Sequence, residues 1–531
     1  MLRRRATACA LLLFFSFAAV CAAGASDQLT IKTDRGKVRG KLGGDGQVRI
    51  FLGIPYAAPP VGPLRWRPPQ PASKWSGVRD ATSFGHRCIQ PHPFEDMVFR
   101  DPGPSEDCLN LNVWTPARNK HANLPVMVWI YGGGFTAGAT SEPRQDGEHL
   151  AHKGVVVVSM NYRLGVFGFL VLPELAAESP HHAAGNYGLM DQTAALEWVK
   201  RNISRFGGDP HNVTIFGESA GSFSVSAQMA SPLAQGLFVH AIGESGAAFS
   251  SRGLSFPPLA ESERTDSAWA QATFGTSSLT DLRAMSVQDL IDKMDHPDQV
   301  AHTRIGPDVD GYFLPESVPQ IYAEGKQAHV PLLAGWNRDE PSALAIDDPQ
   351  PPTPESFRAQ AQQDFGANAD EFLRLFPAQT EAETVRSDIT LTGARFITFS
   401  TWKWLEAQAA TGDAAVYRYY FRRPSPASQY HPAGSGAFHS DEIEYVFGTL
   451  DSRPGAVWQP QDYALSDLIE TYWTNFARTG NPNARGTPNW PPYTAADGWQ
   501  VMNLDAQSQA APDPHRDRWL FLDRVWGHPQ P

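Results

Sequence analysis

A serine flanked by glycines, Gly217-Glu218-Ser219-Ala220-Gly221, directly follows the β-branched and apolar run Val213-Thr214-Ile215-Phe216. Ser222 to Ala230 then reads as a helix of small and apolar residues. Strand, tight turn and helix form the context in which Gly-x-Ser-x-Gly presents a nucleophile. The serine must occupy a cramped turn with strained dihedrals, so that its Oγ projects clear of a sheet. A side chain at either flank would meet the neighbouring strand or helix, and glycine has none. Ser219 is therefore the candidate nucleophile. A second motif, Gly243-Glu244-Ser245-Gly246, resembles the first, but Ala247 stands where its last glycine would be.

Tyr131-Gly132-Gly133-Gly134-Phe135 follows the apolar run Val126 to Ile130. Three glycines in a row leave backbone N–H groups unshielded. That suits a flexible loop, or donors held about 3 Å from a developing oxyanion. The serine motif, about 85 residues downstream, favours the second use. Gly133 and Gly134 are the candidate donors, joined by the N–H of Ala220 beside the serine.

The surrounding sequence supplies the elements that must hold these groups. Val126 to Ile130 and Val155 to Met160 are short, continuous apolar runs, as in parallel strands covered on both faces. Ala195, Trp198, Val199, Ile203 and Phe206 recur at helical spacing. They predict a helix over roughly 191–206 that ends at Gly207-Gly208. Strands alternating with helices predict an α/β fold, a mostly parallel sheet flanked by helices. Ser255 to Val300 and Pro354 to Gly412 read as mostly helical insertions that shape a cleft. Pro55 to Pro69 and Pro349 to Pro354 read as surface loops.

The chain has 531 residues and a formal charge of −12. An acidic surface without a basic stripe argues against nucleic acid and anionic membranes as partners. Arg3-Arg4-Arg5, the apolar stretch Ala6 to Val20 and Ala23-Gly24-Ala25 have the three parts of a secretory signal peptide. Cleavage is expected after Ala25, leaving 26–531 as one catalytic domain with no stable membrane anchor. Secretion or a periplasmic location follows. Of four cysteines, Cys9 and Cys21 leave with the signal. Cys88 and Cys108 remain, an even pair in an exported chain, and one disulfide is expected. Two cysteines without clustered histidines make no zinc site, and no metal or cofactor is expected. Asn202-Ile203-Ser204 and Asn212-Val213-Thr214 match glycosylation sequons.

Further motifs carry a family resemblance. They are Phe51-Leu52-Gly53-Ile54-Pro55-Tyr56-Ala57, Leu64-Arg65-Trp66, Ser105 to Asn112, Asn161-Tyr162-Arg163-Leu164-Gly165 and Gly207-Gly208-Asp209-Pro210. With the serine and glycine motifs, they resemble type-B carboxylesterases, the family of the cholinesterases. The resemblance runs from about Leu29 to about Tyr493 and implies the α/β-hydrolase fold.

The resemblance also supplies a triad in the order Ser, acid, His. Leu333 to Glu340 resembles the acid motif, and Glu340 matches the acid. Residue types alone leave Asp339 an equal candidate, and Pro341 replaces the usual glycine. Phe438-His439-Ser440-Asp441-Glu442-Ile443 resembles the histidine motif, and His439 matches the base. Ser245 resembles a hydroxyl that supports the acid and base. Glu218 and Glu442 read as buried acids near the site, or as carboxylates satisfied elsewhere. Cholinesterases carry a choline-binding tryptophan inside the first disulfide loop. Ile89 to Asp107 holds none, although Phe94 and Phe99 offer weaker cation–π faces. The resemblance implies hydrolysis of a small-molecule carboxylic ester. A serine hydrolase of amides or thioesters and a non-catalytic binding relative are the alternatives.

Overall fold

The computed structural model describes residues 29–91, 94–249, 254–294, 305–341 and 351–527. The expected signal peptide, with Cys9 and Cys21, lies outside the described residues.

Eleven strands form the main sheet. In chain order they are β1 (Lys41–Leu42), β2 (Arg49–Pro55), β3 (Asn110–Thr115), β4 (Leu124–Ile130), β5 (Val156–Met160) and β6 (Gly208–Glu218). There follow β7 (His240–Glu244), β8 (Leu332–Asn337), β9 (Val416–Phe421), β10 (Gln500–Leu504) and β11 (Gln509–Pro512). Their spatial order is β1-β2-β3-β5-β4-β6-β7-β8-β9-β10-β11. Strands β5 to β10 in that order pair in parallel, and antiparallel strands close both edges. The sheet is thus mostly parallel, as the apolar runs require. Residues 126–130 and 156–158 are fully buried on both faces, and helices supply that cover.

The strand order places the functional crevice. From β4 the chain crosses to β5 on one side; from β6 it crosses to β7 on the other. The loops after β4 and β6 therefore diverge at a topological switch point, where open α/β sheets bind ligands. Those loops carry the glycine run and Ser219.

Helix α1 (Tyr187–Asn202) starts earlier than its apolar periodicity predicts, and a 3-10 turn (Ile203–Phe206) completes the segment. Asp191, expected at the start, lies inside the helix and pairs with buried Arg163 at 2.8 Å. Gly207 ends the segment with φ 89°, a left-handed conformation that glycine adopts without strain. Helix α2 (Ala220–Ala230) follows the serine and is buried throughout. The region from Ser255 is mainly helical in its described part, including α3 (Leu259–Phe274). The region from Pro354 is helical as well. It contains α4 (Glu381–Gly393), a π-helical turn (Ala394–Thr398) and α5 (Phe399–Thr411).

Two surface expectations change. The segment from Pro55 to Pro69 is not all surface. Trp66 is buried and donates Nε1 to the Val166 carbonyl, and Arg65 pairs with Glu106 at 2.6 Å. Asn202 is fully buried and exchanges hydrogen bonds with Asp34, so it cannot carry a glycan.

A disulfide joins Cys88 and Cys108, whose Cα atoms lie 4.9 Å apart. It closes a loop of sequence separation 20. Restricting the unfolded chain this way is worth about 3 kcal/mol in the loop-entropy model. Cys88→Ser should therefore lower unfolding free energy by roughly 2–4 kcal/mol in denaturant titrations. An unchanged midpoint would mean the bond does not constrain the unfolded chain.

Candidate active site

Ser219 stands between β6 and α2 with φ 53° and ψ −121°, a strained conformation for a non-glycine residue. The flanking glycines allow it. Gly217 lies opposite Ile130 in register, and a Cβ on Gly217 would sit 2.6 Å from the Ile130 carbonyl oxygen. On Gly221 the distance would be 1.9 Å. The Ser219 N–H donates to the Glu244 carbonyl at 2.8 Å, tying the turn to β7.

Three distant segments meet at this turn. Ser219 Oγ lies 2.9 Å from His439 Nε2, and His439 Nδ1 lies 2.7 Å from Glu340 Oε2. The other Glu340 oxygen accepts from Ser245 Oγ at 2.6 Å and from the Asn337 N–H at 2.7 Å. Ser245 is fully buried with φ 54°, and its hydroxyl is committed to Glu340. Asp339 faces elsewhere. It pairs with Arg338 and Arg386 and accepts from the Ala437 N–H at 2.9 Å. Its own N–H donates to the Ala437 carbonyl. Asp339 thus zips the loop after β8 to the segment that carries His439.

Gly133 and Gly134 line the same cleft as Ser219 and His439, at φ 101° and 66°. A Cβ on Gly132 would lie 3.0 Å from Ser219 Cβ, so the glycine run packs directly against the serine. Ala220 is the first residue of α2, where backbone N–H groups lack helical partners.

The family model for the carboxylesterase family matches residues 27–519. The chain belongs to the carboxylesterase family. A fumonisin B1 esterase of Sphingopyxis macrogoltabida is 36% identical over 505 residues, covering 90% of this chain and 87% of the relative. A para-nitrobenzyl esterase of Bacillus subtilis is 36% identical, covering 92% and 97%. A solved para-nitrobenzyl esterase structure superposes with a TM-score of 0.78 at 35% identity, covering 95% of this chain and all of its own. The α/β-hydrolase fold and the hydrolysis of small-molecule carboxylic esters follow from this membership. Among the described residues no helix is long and apolar enough to cross a membrane.

The carboxylesterase cleft holds about 510 Å³. Phe94 and Met97, from inside the disulfide loop, line it together with Leu254 and Phe396. Phe99 does not: Arg87 lies over its ring at 4.6 Å. Residue types did not reveal Phe396, whose ring stands edge-on to His439 at 5.0 Å. Nor did they reveal Arg144, a cleft residue that pairs with Glu142 and Asp96. Asn337 lay within the acid motif without a visible role. Its side chain bonds the Phe438 carbonyl and Glu442.

Three more carboxylates lie buried around Glu340. Glu218 sits in the cleft wall, 3.3 Å from His439 Nε2. Burial holds the Glu218 carboxyl well above the usual range, opposed by Arg144 and reinforced by Glu340. Burial likewise raises Glu442, with Glu218 and Glu244 adding to it. Burial pushes Glu244 up to about 8 against the hydrogen bond from Trp473. One oxygen of each lacks a hydrogen-bond partner.

Folded Glu244 keeps a proton that the unfolded chain releases above pH 4.5. Unfolding then frees a proton, so this group's contribution to stability falls as pH rises from 4.5 to about 8. Glu244→Gln keeps an acceptor for Trp473 and removes that loss. It should match the parent near pH 5 and exceed it by ~2–4 kcal/mol near pH 8–9, measured by urea unfolding. A parallel shift at all pH values would refute a raised Glu244. Gly221→Ala should cost about 3 kcal/mol or more through its contact with the Ile130 carbonyl. Parent-like unfolding would show that the turn is not fixed by that contact.

Proposed function

We propose that this carboxylesterase works through an acyl-enzyme on Ser219, with His439 as base and Glu340 as its orienting acid. The observation that carries the proposal is the unbroken chain of contacts from Ser219 Oγ through His439 to Glu340, at 2.9 and 2.7 Å. His439 takes the hydroxyl proton as Ser219 attacks the acyl carbon, then returns it to the leaving alcohol. Water, deprotonated by the same imidazole, attacks the acyl-serine and releases the acid. Glu340 fixes the imidazole tautomer and stabilises the imidazolium. The backbone N–H groups of Gly133, Gly134 and Ala220 hold the oxyanion.

The apolar part of the cleft lining, Phe94, Met97, Leu254, Pro341 and Phe396, supports esters with an apolar group as substrates. Choline esters are disfavoured: no tryptophan is among the described residues lining the cleft, Phe99 is stacked by Arg87 and Asp96 is paired. That leaves a choline head only the weaker faces of Phe94 and Phe396. The family match across 27–519 supports one catalytic unit after the leader. The disulfide supports export to an oxidising compartment.

An organophosphate should label Ser219 stoichiometrically and abolish hydrolysis of p-nitrophenyl esters. Labelling at Ser245 with Ser219 free would overturn the assignment. Ser219→Ala should lose at least about 10³-fold in kcat. Glu340→Gln should lose on the order of 10³–10⁴-fold. Asp339→Asn should chiefly lower stability, since it weakens the link between two loops. The reverse ranking in kcat would move the acid to Asp339.

A further inference from the structure

A cavity of about 330 Å³ lies behind Glu340, on the other side from the cleft. The two hollows share one wall. Pro341, Thr392 and Phe396 face the cleft, whereas Glu340, Gly393 and Thr398 face the cavity. Five arginines line the cavity: Arg338, Arg386, Arg418, Arg422 and Arg518.

Their charge is only partly met. Asp339 takes Arg338 and Arg386, and Asp513 takes Arg418. Glu340 is occupied by His439, Ser245 and Asn337. Among the described residues no carboxylate pairs with Arg422 or Arg518; Arg518 Nε donates to the Leu375 carbonyl at 2.7 Å. Arg418 is 97% buried at its side chain, and its Nε has no hydrogen-bond partner. Thr398 Oγ1 is likewise buried and unpartnered. His515, also in the wall, is pushed down to about 4 by burial and by Arg518, with Arg418 and Arg422 adding to it and Asp513 opposing. Its surroundings already repel a proton.

Asn337, Thr390, Tyr420 and Asn503 add polar groups to the lining, and one side of it is apolar. Trp336 and Trp519 are nearly buried and stand edge-to-face at 5.3 Å. Ile389 and Val501 complete this side, and the half-exposed Arg386 marks the way to solvent. Guanidinium groups grip planar anions through paired N–H donors. The indoles supply a surface for an apolar body.

We infer that this cavity is a binding site for a small organic carboxylate, an apolar body with an anionic head. Ester hydrolysis releases such an acid at every turnover, so the protein generates ligands of this class itself. The site is separate from the catalytic assignment and can be tested with the catalytic serine blocked.

The full chain, capped with an organophosphate, is titrated with 4-phenylbutyrate by calorimetry and tryptophan fluorescence. Saturable binding is expected, at least tenfold weaker for the neutral amide 4-phenylbutyramide. Arg422→Gln and Arg518→Gln, each with parent-like esterase activity and unfolding, should each weaken binding at least tenfold. Two independent variants keep the test open if one fails to fold. Binding that vanishes on capping places the acid in the cleft and overturns the proposal. Equal affinity for the amide, or no change in either folded variant, also overturns it. Inorganic phosphate binding as tightly as the carboxylate would remove the role of the apolar wall and with it the ligand class.

Discussion

The site depends on how closely the end of β6 approaches the end of β4. Gly217 faces Ile130 in register, and the Ile130 carbonyl leaves no room for a Cβ at Gly217 or Gly221. The approach is reciprocal, because Gly132 has Ser219 Cβ and the Glu218 carbonyl against its own face. The glycine run and the glycine-flanked serine are therefore one packing solution, divided between two strands. The strain at Ser219, of order 1–3 kcal/mol, persists because its surroundings over-determine it. Its N–H is held by Glu244 and its carbonyl by the Phe223 N–H. A Cβ on Gly246 would lie 2.9 Å from the same carbonyl oxygen.

Strand β7 ends on the same device with the opposite outcome. Ser245 has almost the same φ as Ser219, 54° against 53°. The Ser219 hydroxyl meets the cleft, whereas the Ser245 hydroxyl is enclosed and spent on Glu340. This divides the buried carboxylates into two kinds. Glu340 has donors on both oxygens. Glu218, Glu244 and Glu442 each leave one oxygen unsatisfied, and burial raises all three. Donors on both oxygens distinguish Glu340 from these three neighbours.

Most of the fold was legible because its signals are local. The continuous apolar runs at 126–130 and 155–160 announced strands buried on both faces, and they became β4 and β5. The strand–turn–helix around Ser219 was legible for the same reason. Asp339 against Glu340 was not decidable from residue type, since both are carboxylates on one turn. What separates them is the Ala437 N–H and the guanidinium groups of Arg338 and Arg386, which claim Asp339. The start of α1 was missed because Tyr187 to Asp191 are buried by tertiary contacts, such as Arg163 with Asp191, and not by a repeating stripe. Phe396 and Arg144 were invisible because neither lies inside a motif, and only tertiary packing brings each to the cleft.

The wall between cleft and cavity shows how such residues are placed. Between α4 and α5 the helix widens into a π-helical turn, Ala394–Thr398. Such a turn inserts one residue into an α-helical run, and each residue of an α-helix advances about 100°. A regular helix through this stretch would rotate every later side chain by about that angle relative to the earlier ones. Within the turn, Phe396 and Thr398 are two residues apart and so lie on opposite faces, Phe396 against His439 and Thr398 in the wall of the arginine-lined cavity. One short turn therefore contributes to the surface of both hollows. A substitution there would alter the two together, although neither hollow shares a motif with the other.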